Sequence, residues 1–189
     1  MNDASIQRRE IESAANLLRA GGVLAYPTEA VFGLGCDPDN RAAFERLFEI
    51  KQRPPEQGVL LIAADFEQIA EWIGDAPTEA LDRARATWPG PYTWVFPRSP
   101  RVPDWIAGSH PGIALRVTAH PPAAALCVAF GGAIVSTSAN RHGQAPARNA
   151  EEIAAMFGDQ LVAVLDGPTG GLEKPTPLAD ALTGAMIRP

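Results

Sequence analysis

Short apolar runs alternate with segments of helical periodicity along almost the whole chain. Val23 to Tyr26, Val59 to Ala63, Tyr92 to Phe96, Ile113 to Val117, Ala133 to Thr137 and Leu161 to Leu165 are each too short for an ordinary helix and are bounded by turn residues. Between them lie segments with local helix signals. Ser5 to Ala20 places Ile6, Ile11, Ala14, Leu17 and Leu18 on one side and ends at Gly21-Gly22. Asn40 is a natural N-cap for a helix with Ala43, Phe44, Leu47 and Phe48 inside, running out at Lys51. Asp65 caps another, with Phe66, Ile69, Ala70 and Ile73 inside, and Pro77 opens one that reaches about Thr87. Pro121 to Phe130 is closed by Gly131-Gly132, and Asn149 caps a helix to Phe157. Leu178 to Ile187 reads as a terminal hairpin. Strands and helices in alternation predict an α/β fold, a twisted sheet with helices packed on it.

The chain has 189 residues, 46% of them hydrophobic, which suits a single domain over 1–189. The 18 prolines and 17 glycines gather in connections such as Pro54-Pro55, Trp88-Pro89-Gly90-Pro91 and Gly167 to Pro177, with no repeat and no linker. Sixteen basic residues against 22 acidic ones give a net charge of −6, so any contact with nucleic acid needs a local basic face. Cys36 and Cys127 are far apart, outside any Cys-x-x-Cys, and read as buried thiols in a reducing compartment. His110, His120 and His142 show no ligand spacing, so no metal site is expected. No apolar run approaches the ~18 residues of a membrane span, and Met1 to Ala4 does not open a signal peptide, which predicts a cytoplasmic protein without a membrane partner.

Ala133-Ile134-Val135 leads into Ser136-Thr137-Ser138-Ala139-Asn140. On a strand, Ser136, Ser138 and Asn140 share one face. Three small polar groups at the end of an apolar strand are costly to bury unpaired, so they are placed to hold a polar ligand. Lys51 and Arg53 have the same spacing before a Pro-Pro pair, which favours an extended backbone with both cations pointing one way. Arg53 suits a two-pronged contact to phosphate and Lys51 a point charge; a solvated helix end is the other reading. Tyr26-Pro27-Thr28-Glu29 places Thr28 and Glu29 at a strand's carboxyl end, where α/β sheets hold ligands, and Gly33 and Gly35 let the backbone pass close to something. A strand-to-loop turn with Thr28 capping its own backbone is equally consistent. Arg116, inside Ile113 to Val117, needs an anion, either a ligand or a structural carboxylate. Thr93 is a hydroxyl for the site or a plain strand threonine, and Thr176, between two prolines, lies within possible reach. No Ser/His/Asp set, phosphate-binding loop of P-loop type or paired carboxylates are evident, which implies catalysis by positioning and charge stabilisation.

Pro27-Thr28-Glu29-x-Val31-x-Gly33-Leu34-Gly35, Lys51-x-Arg53-Pro54, Arg116-Val117 and Ser136-Thr137-Ser138-Ala139-Asn140 together resemble the YrdC family of threonylcarbamoyl-AMP synthases, in order and spacing, over about residues 8 to 188. The chain is most similar to the short single-domain bacterial members, without the linker and C-terminal domain of longer ones. The resemblance implies a YrdC-like mixed parallel and antiparallel sheet with a concave basic cavity. It implies a nucleotidyltransferase that converts L-threonine, bicarbonate and ATP to threonylcarbamoyl-adenylate and pyrophosphate, for the t6A modification of tRNA. Under it, Thr28 and Arg116, with the turn from Tyr26, would bind threonine. Lys51 and Arg53 would neutralise the triphosphate as the catalytic pair. Ser136, Ser138 and Asn140 would bind the nucleotide, with Thr93 and Thr176 as further candidates. Magnesium would ride on ATP rather than in a protein site, and the labile product would pass promptly to a transferase complex. Ala30 and Phe32 stand where many members carry threonine and tyrosine, Gln57-Gly58 where longer members have Lys-Pro, and Thr176 lies in a stretch that longer members write Ser-Thr-Val. A competing reading is a non-catalytic RNA-binding module with a patch of Lys51, Arg53, Arg116, Arg141 and Arg148 contacting tRNA. A metal-dependent sugar-phosphate enzyme is a third, with Glu29 and Asp37 as its nearest carboxylates.

Overall fold

The computed structural model describes residues 3–53 and 58–189, with the side chains of residues 3–7 left out. The Pro54-Pro55 and Gln57 features and the side chain of Ile6 lie outside the described residues. Nine strands form one sheet: β1 (Leu24–Pro27), β2 (Phe32–Gly35), β3 (Leu60–Ala63), β4 (Thr93–Pro97), β5 (Gly112–Val117), β6 (Ile134–Ser138), β7 (Ala163–Val164), β8 (Leu178–Asp180) and β9 (Met186–Arg188). Their spatial order is β7-β1-β2-β6-β3-β5-β4-β8-β9. Three pairs, β1 with β7, β3 with β5 and β4 with β8, run parallel, and the rest are antiparallel. The helices are α1 (Asp3–Arg19), α2 (Arg41–Lys51), α3 (Glu67–Ala70), α4 (Thr78–Arg85), α5 (Asp104–Ala107), α6 (Pro121–Phe130) and α7 (Ala150–Phe157). Among the described residues no helix is long and apolar enough to cross a membrane.

Local signals set several helix ends. Asn40 Oδ1 accepts from the Ala43 N–H, Asn149 Oδ1 from Glu152 N–H, and Asp65 Oδ1 from Gln68 N–H. Gly131, at φ 90°, ends α6 in the left-handed conformation that costs glycine nothing. Three expectations need correction. Phe32–Gly35 is a strand, not part of a loop, and it lies between β1 and β6. The run Leu161 to Leu165 is a strand only at Ala163–Val164, with Val162 N–H and Leu165 N–H donating to Val23 O and Ala25 O on either side. Ala70 faces solvent because α3 is a single turn; Ile69 within it and Trp72 beyond it are the buried residues.

Strand alternation divides the sheet into two faces. Ala25, Phe32, Leu34, Val135, Leu61, Leu115, Trp94, Phe96 and Ala179 point into a continuous core that also holds Phe44 and Leu47 of α2, Ala80 of α4 and Ile153 of α7. The opposite face is covered along only one half. There Leu24, Tyr26, Ile62 and Ile134 pack under Ile11, Ala15 and Leu18 of α1 and Leu126 and Cys127 of α6. Both cysteines are fully buried. The other half of that face, carrying Gly33, Ser136, Leu60, Ala114, Arg116, Thr93, Val95 and Leu178, is left open as a concavity. Where α1 and α6 stop therefore decides where a ligand can enter.

Candidate active site

The open half of the sheet forms a cavity of about 710 Å³. Among the described residues its charged wall groups are Arg53, Arg116, Arg188 and Asp180, and its hydroxyls include Thr28, Thr93, Ser136, Thr137, Ser138 and Thr176. Seven strands, β2 to β6, β8 and β9, contribute together with the loops beside them, so the site exists only once the sheet is assembled.

At one end stands Arg116, on β5 and buried. Its Nη1 lies 3.3 Å from Glu29 Oε2, its Nε and Nη2 donate to Thr93 Oγ1 at 3.0 and 2.8 Å, and Nη2 also donates to Thr176 Oγ1. Of the two partners left open for Arg116, the structural carboxylate is present. Glu29 is held from its other side by Thr118, whose hydroxyl donates to Oε1 at 2.6 Å. Burial pulls the Arg116 pKa down, and the Glu29 charge pulls it back up. Thr93 and Thr176 thus reach the site as acceptors for Arg116. The Thr28 hydroxyl donates to the Val31 carbonyl at 2.7 Å, the local cap, while the residue also lines the cavity.

The segment after β7 closes this end. Gly170 N–H donates to Thr28 O and Leu172 N–H to Glu29 O. A Cβ on Gly170 would meet the Glu29 backbone at 2.9 Å, so glycine is what permits the approach. His120 Nε2 sits 3.1 Å from the Pro168 carbonyl and so carries the proton in that bond. Its Nδ1 is buried with no partner among the described residues.

The other end is built by the α2 terminus against the end of β6. Lys51 and Arg53 do not lie on an extended segment. Lys51 is the last residue of α2, and Gln52 turns left-handed at φ 52°. The Lys51 ammonium is buried and donates to the carbonyls of Ser138 and Asn140, the latter at 2.9 Å, with Asn140 Oδ1 at 3.4 Å. Burial, and secondarily the Arg53 charge, lowers its pKa to about 7. Arg53 donates to Thr137 Oγ1 at 3.3 Å and to Gly58 O at 3.1 Å and lines the cavity; burial lowers its pKa. Asn140 also departs from expectation. β6 ends at Ser138, so Asn140 lies in a bend rather than on the strand face. Its Oδ1 accepts from the Ser138 hydroxyl at 2.6 Å, and its Nδ2 donates to Arg141 O and Gln144 O. Arg141 and Arg148 lie away from the cavity, donating to the Met156 carbonyl and to the Leu172 and Glu173 carbonyls.

Ser136 on the cavity wall meets the buried Tyr26, whose phenol donates to Ser136 Oγ at 2.8 Å. The residues that sequence reasoning left without a role here include Glu29 as partner of Arg116, Thr118, Thr137 and His120, and the wall charges Asp180 and Arg188. Thr118 carried a legible signal, since it follows Arg116 at the same-face spacing of a strand.

Residues 16–188 match the Sua5/YciO/YrdC family profile, described as telomere recombination. A threonylcarbamoyl-AMP synthase of Halorhodospira halophila is 52% identical over 94% of this chain and 93% of its own length. One of Cellvibrio japonicus is 50% identical over the full length of both. Among solved structures, P. abyssi Sua5 complexed with L-threonine superposes with a TM-score of 0.87 at 33% identity, over 92% of this chain and 51% of its own. E. coli YciO superposes with a TM-score of 0.81 at 26% identity, over 96% and 91%. The chain spans about half the length of the P. abyssi protein but nearly all of the synthases it matches in sequence. With the profile covering all but the ends of the sequence, the chain belongs to the Sua5/YciO/YrdC family.

Proposed function

We propose that this chain is a threonylcarbamoyl-AMP synthase, joining L-threonine, bicarbonate and ATP and releasing pyrophosphate. The observation that carries the reading is the cavity itself: one concave site with guanidinium groups at both ends and hydroxyls between, in a chain about half identical to synthases of the same length. Three arginines against one aspartate on its described wall favour anionic reactants. Thr28 and the Arg116–Thr93–Thr176 cluster hold threonine. Arg53 and Ser138, at the end of β6, hold the nucleotide, while Lys51 and Asn140 fix the bend that shapes that end. The threonine amine and bicarbonate give a carbamate with loss of water. A carbamate oxygen then attacks the α-phosphorus, the bond to the β-phosphate oxygen breaks, and pyrophosphate departs. Charge grows on the phosphate oxygens, and fixed cations already aimed there lower that barrier. Holding three reactants together adds a proximity effect on the order of several kcal/mol. Asp180 is engaged by the Thr183 N–H and hydroxyl, so the donor set suits magnesium held by the ATP phosphates. The adenylate is a mixed anhydride, open to hydrolysis, and passes to the transferase that modifies tRNA.

Pyrophosphate release by the purified protein tests this. Release from ATP that requires both L-threonine and bicarbonate is the expected result. ATP binding without threonine-dependent release would overturn the substrate assignment, and absence of ATP binding would overturn the reading altogether.

A further inference from the structure

We infer that Tyr26 is a positioning residue that locks Ser136 as a hydrogen-bond donor into the cavity, toward an acceptor-only oxygen of the carbonate-derived group. The inference rests on the synthase reading and adds to it an address for the third reactant.

The argument begins with hydrogens. Tyr26 is wholly buried, with its ring under α1 and α6. Among the described residues its hydroxyl has one partner, Ser136 Oγ at 2.8 Å. A buried O–H that does not donate is costly, and Tyr26 has nowhere else to donate. Ser136 borders the open cavity and has a choice. The phenol therefore gives its hydrogen to Ser136 Oγ. The single hydrogen of Ser136 is then left over, with no acceptor among the described residues. A hydroxyl normally free to donate or accept is converted to a donor facing the ligand. Burial pushes the phenol pKa up, so no ordinary pH removes the hydrogen that sets this polarity.

The geometry fixing Tyr26 is unusually tight. A Cβ on Gly35 would lie 2.8 Å from Tyr26 Cε1 and 2.8 Å from the Val135 carbonyl oxygen. One on Gly33 would meet Tyr26 Cζ at 3.3 Å, and Ser136 Oγ and Thr28 Cγ2 each at 3.4 Å. The two glycines of β2 thus accommodate the ring and the serine it faces. They also show that Tyr26, Ser136 and Thr28 converge on one spot.

That spot identifies the ligand group. Arg116 and Thr28 lie on the threonine side. Arg53 lies on the nucleotide side, on Thr137 next to Ser136. In the sheet only β3 separates the Ser136 strand from the Arg116 strand, and Ser136 is next in sequence to the Thr137 that Arg53 contacts, which suits it to the carbon joining the amine to the α-phosphate. The two unprotonated oxygens of bicarbonate, and the carbamate oxygen left out of the bond to phosphorus, are acceptors, and a donor-only hydroxyl fits them.

Steady-state kinetics on three variants test this: Tyr26→Phe, which keeps the ring on Gly33 and Gly35, Ser136→Ala, and the double variant. Thermal unfolding is followed alongside. Tyr26→Phe should raise KM for bicarbonate about tenfold or more, while KM for ATP and for threonine stay within about twofold. Adding Tyr26→Phe to Ser136→Ala should change the bicarbonate KM by less than about twofold, because the relay has no acceptor left to polarise. Equal rises in all three KM values, an unchanged bicarbonate KM, or additive effects in the double variant would overturn the inference while leaving the synthase reading intact. Wild-type protein with no bicarbonate-dependent release would overturn both.

Discussion

Arg116 and Glu29 form an ion pair with both side chains almost out of water. Such a pair is poor evidence for stability, but its halves depend on each other. Arg116→Met leaves a buried carboxylate with, among the described residues, only the Thr118 hydroxyl, and a loss of about 3–5 kcal/mol in urea unfolding is expected. A loss under about 1 kcal/mol would mean that water reaches Glu29. Arg53 is different, since it reaches the cavity from a partly exposed segment. Arg53→Ala should lower ATP-dependent turnover at least about tenfold, a charge-assisted contact being worth roughly 1.5–3 kcal/mol, with little change in melting temperature. Lys51 yields a pH prediction. Its pKa falls from 10.5 to about 7 on folding. Below about pH 7 both states carry the proton, and the cost of burying the charge is fully present. Between about pH 7 and 10.5 the unfolded chain binds a proton that the folded protein does not, so this contribution to stability rises with pH. The difference in urea midpoint between wild type and Lys51→Met should shift in favour of wild type across that window. A flat difference would sink the assignment.

At the scale of elements, helices were legible because their signals are local. Asn40, Asn149 and Gly131 act on groups within three or four residues in sequence. Asn40→Ala should cost about 1 kcal/mol, read as a lowered unfolding midpoint. β2 was hidden for the opposite reason. Two of its four residues are glycines, which are poor strand formers by themselves. They are required by the Tyr26 ring and the Val135 carbonyl, which come from β1 and β6. Gly35→Ala must push the ring or the backbone aside, and a loss of at least about 1–3 kcal/mol is expected, with Ser136 displaced and catalysis reduced. Lys51 was legible as a cation at a helix end, but not as the tie that holds the β6 bend.

For the whole molecule, strand order determines which amides are protected. β6, β3 and β5 lie in the interior of the sheet, while β7 and β9 are its edges. Amides of Leu61, Leu115 and Val135 should exchange slowest and those of Met186 to Arg188 fastest. Protection of β9 equal to that of β3 would mean that the edge is covered in solution. The chain's periodicity, caps and glycine stops by themselves determined an α/β domain and most of its helices. Of the cavity-lining groups, Thr28, Arg53, Thr93, Arg116, Ser136, Ser138 and Thr176 were likewise legible, while Asp180 and Arg188 were not. Only the tertiary structure decided their partners. Tyr26 meets Ser136, Arg116 meets Glu29 and Lys51 meets the Ser138 carbonyl across separations of 110, 87 and 87 residues. Periodicity and caps act over one or two turns of chain, whereas these pairs depend on strand order and on the half of the sheet that α1 and α6 leave uncovered.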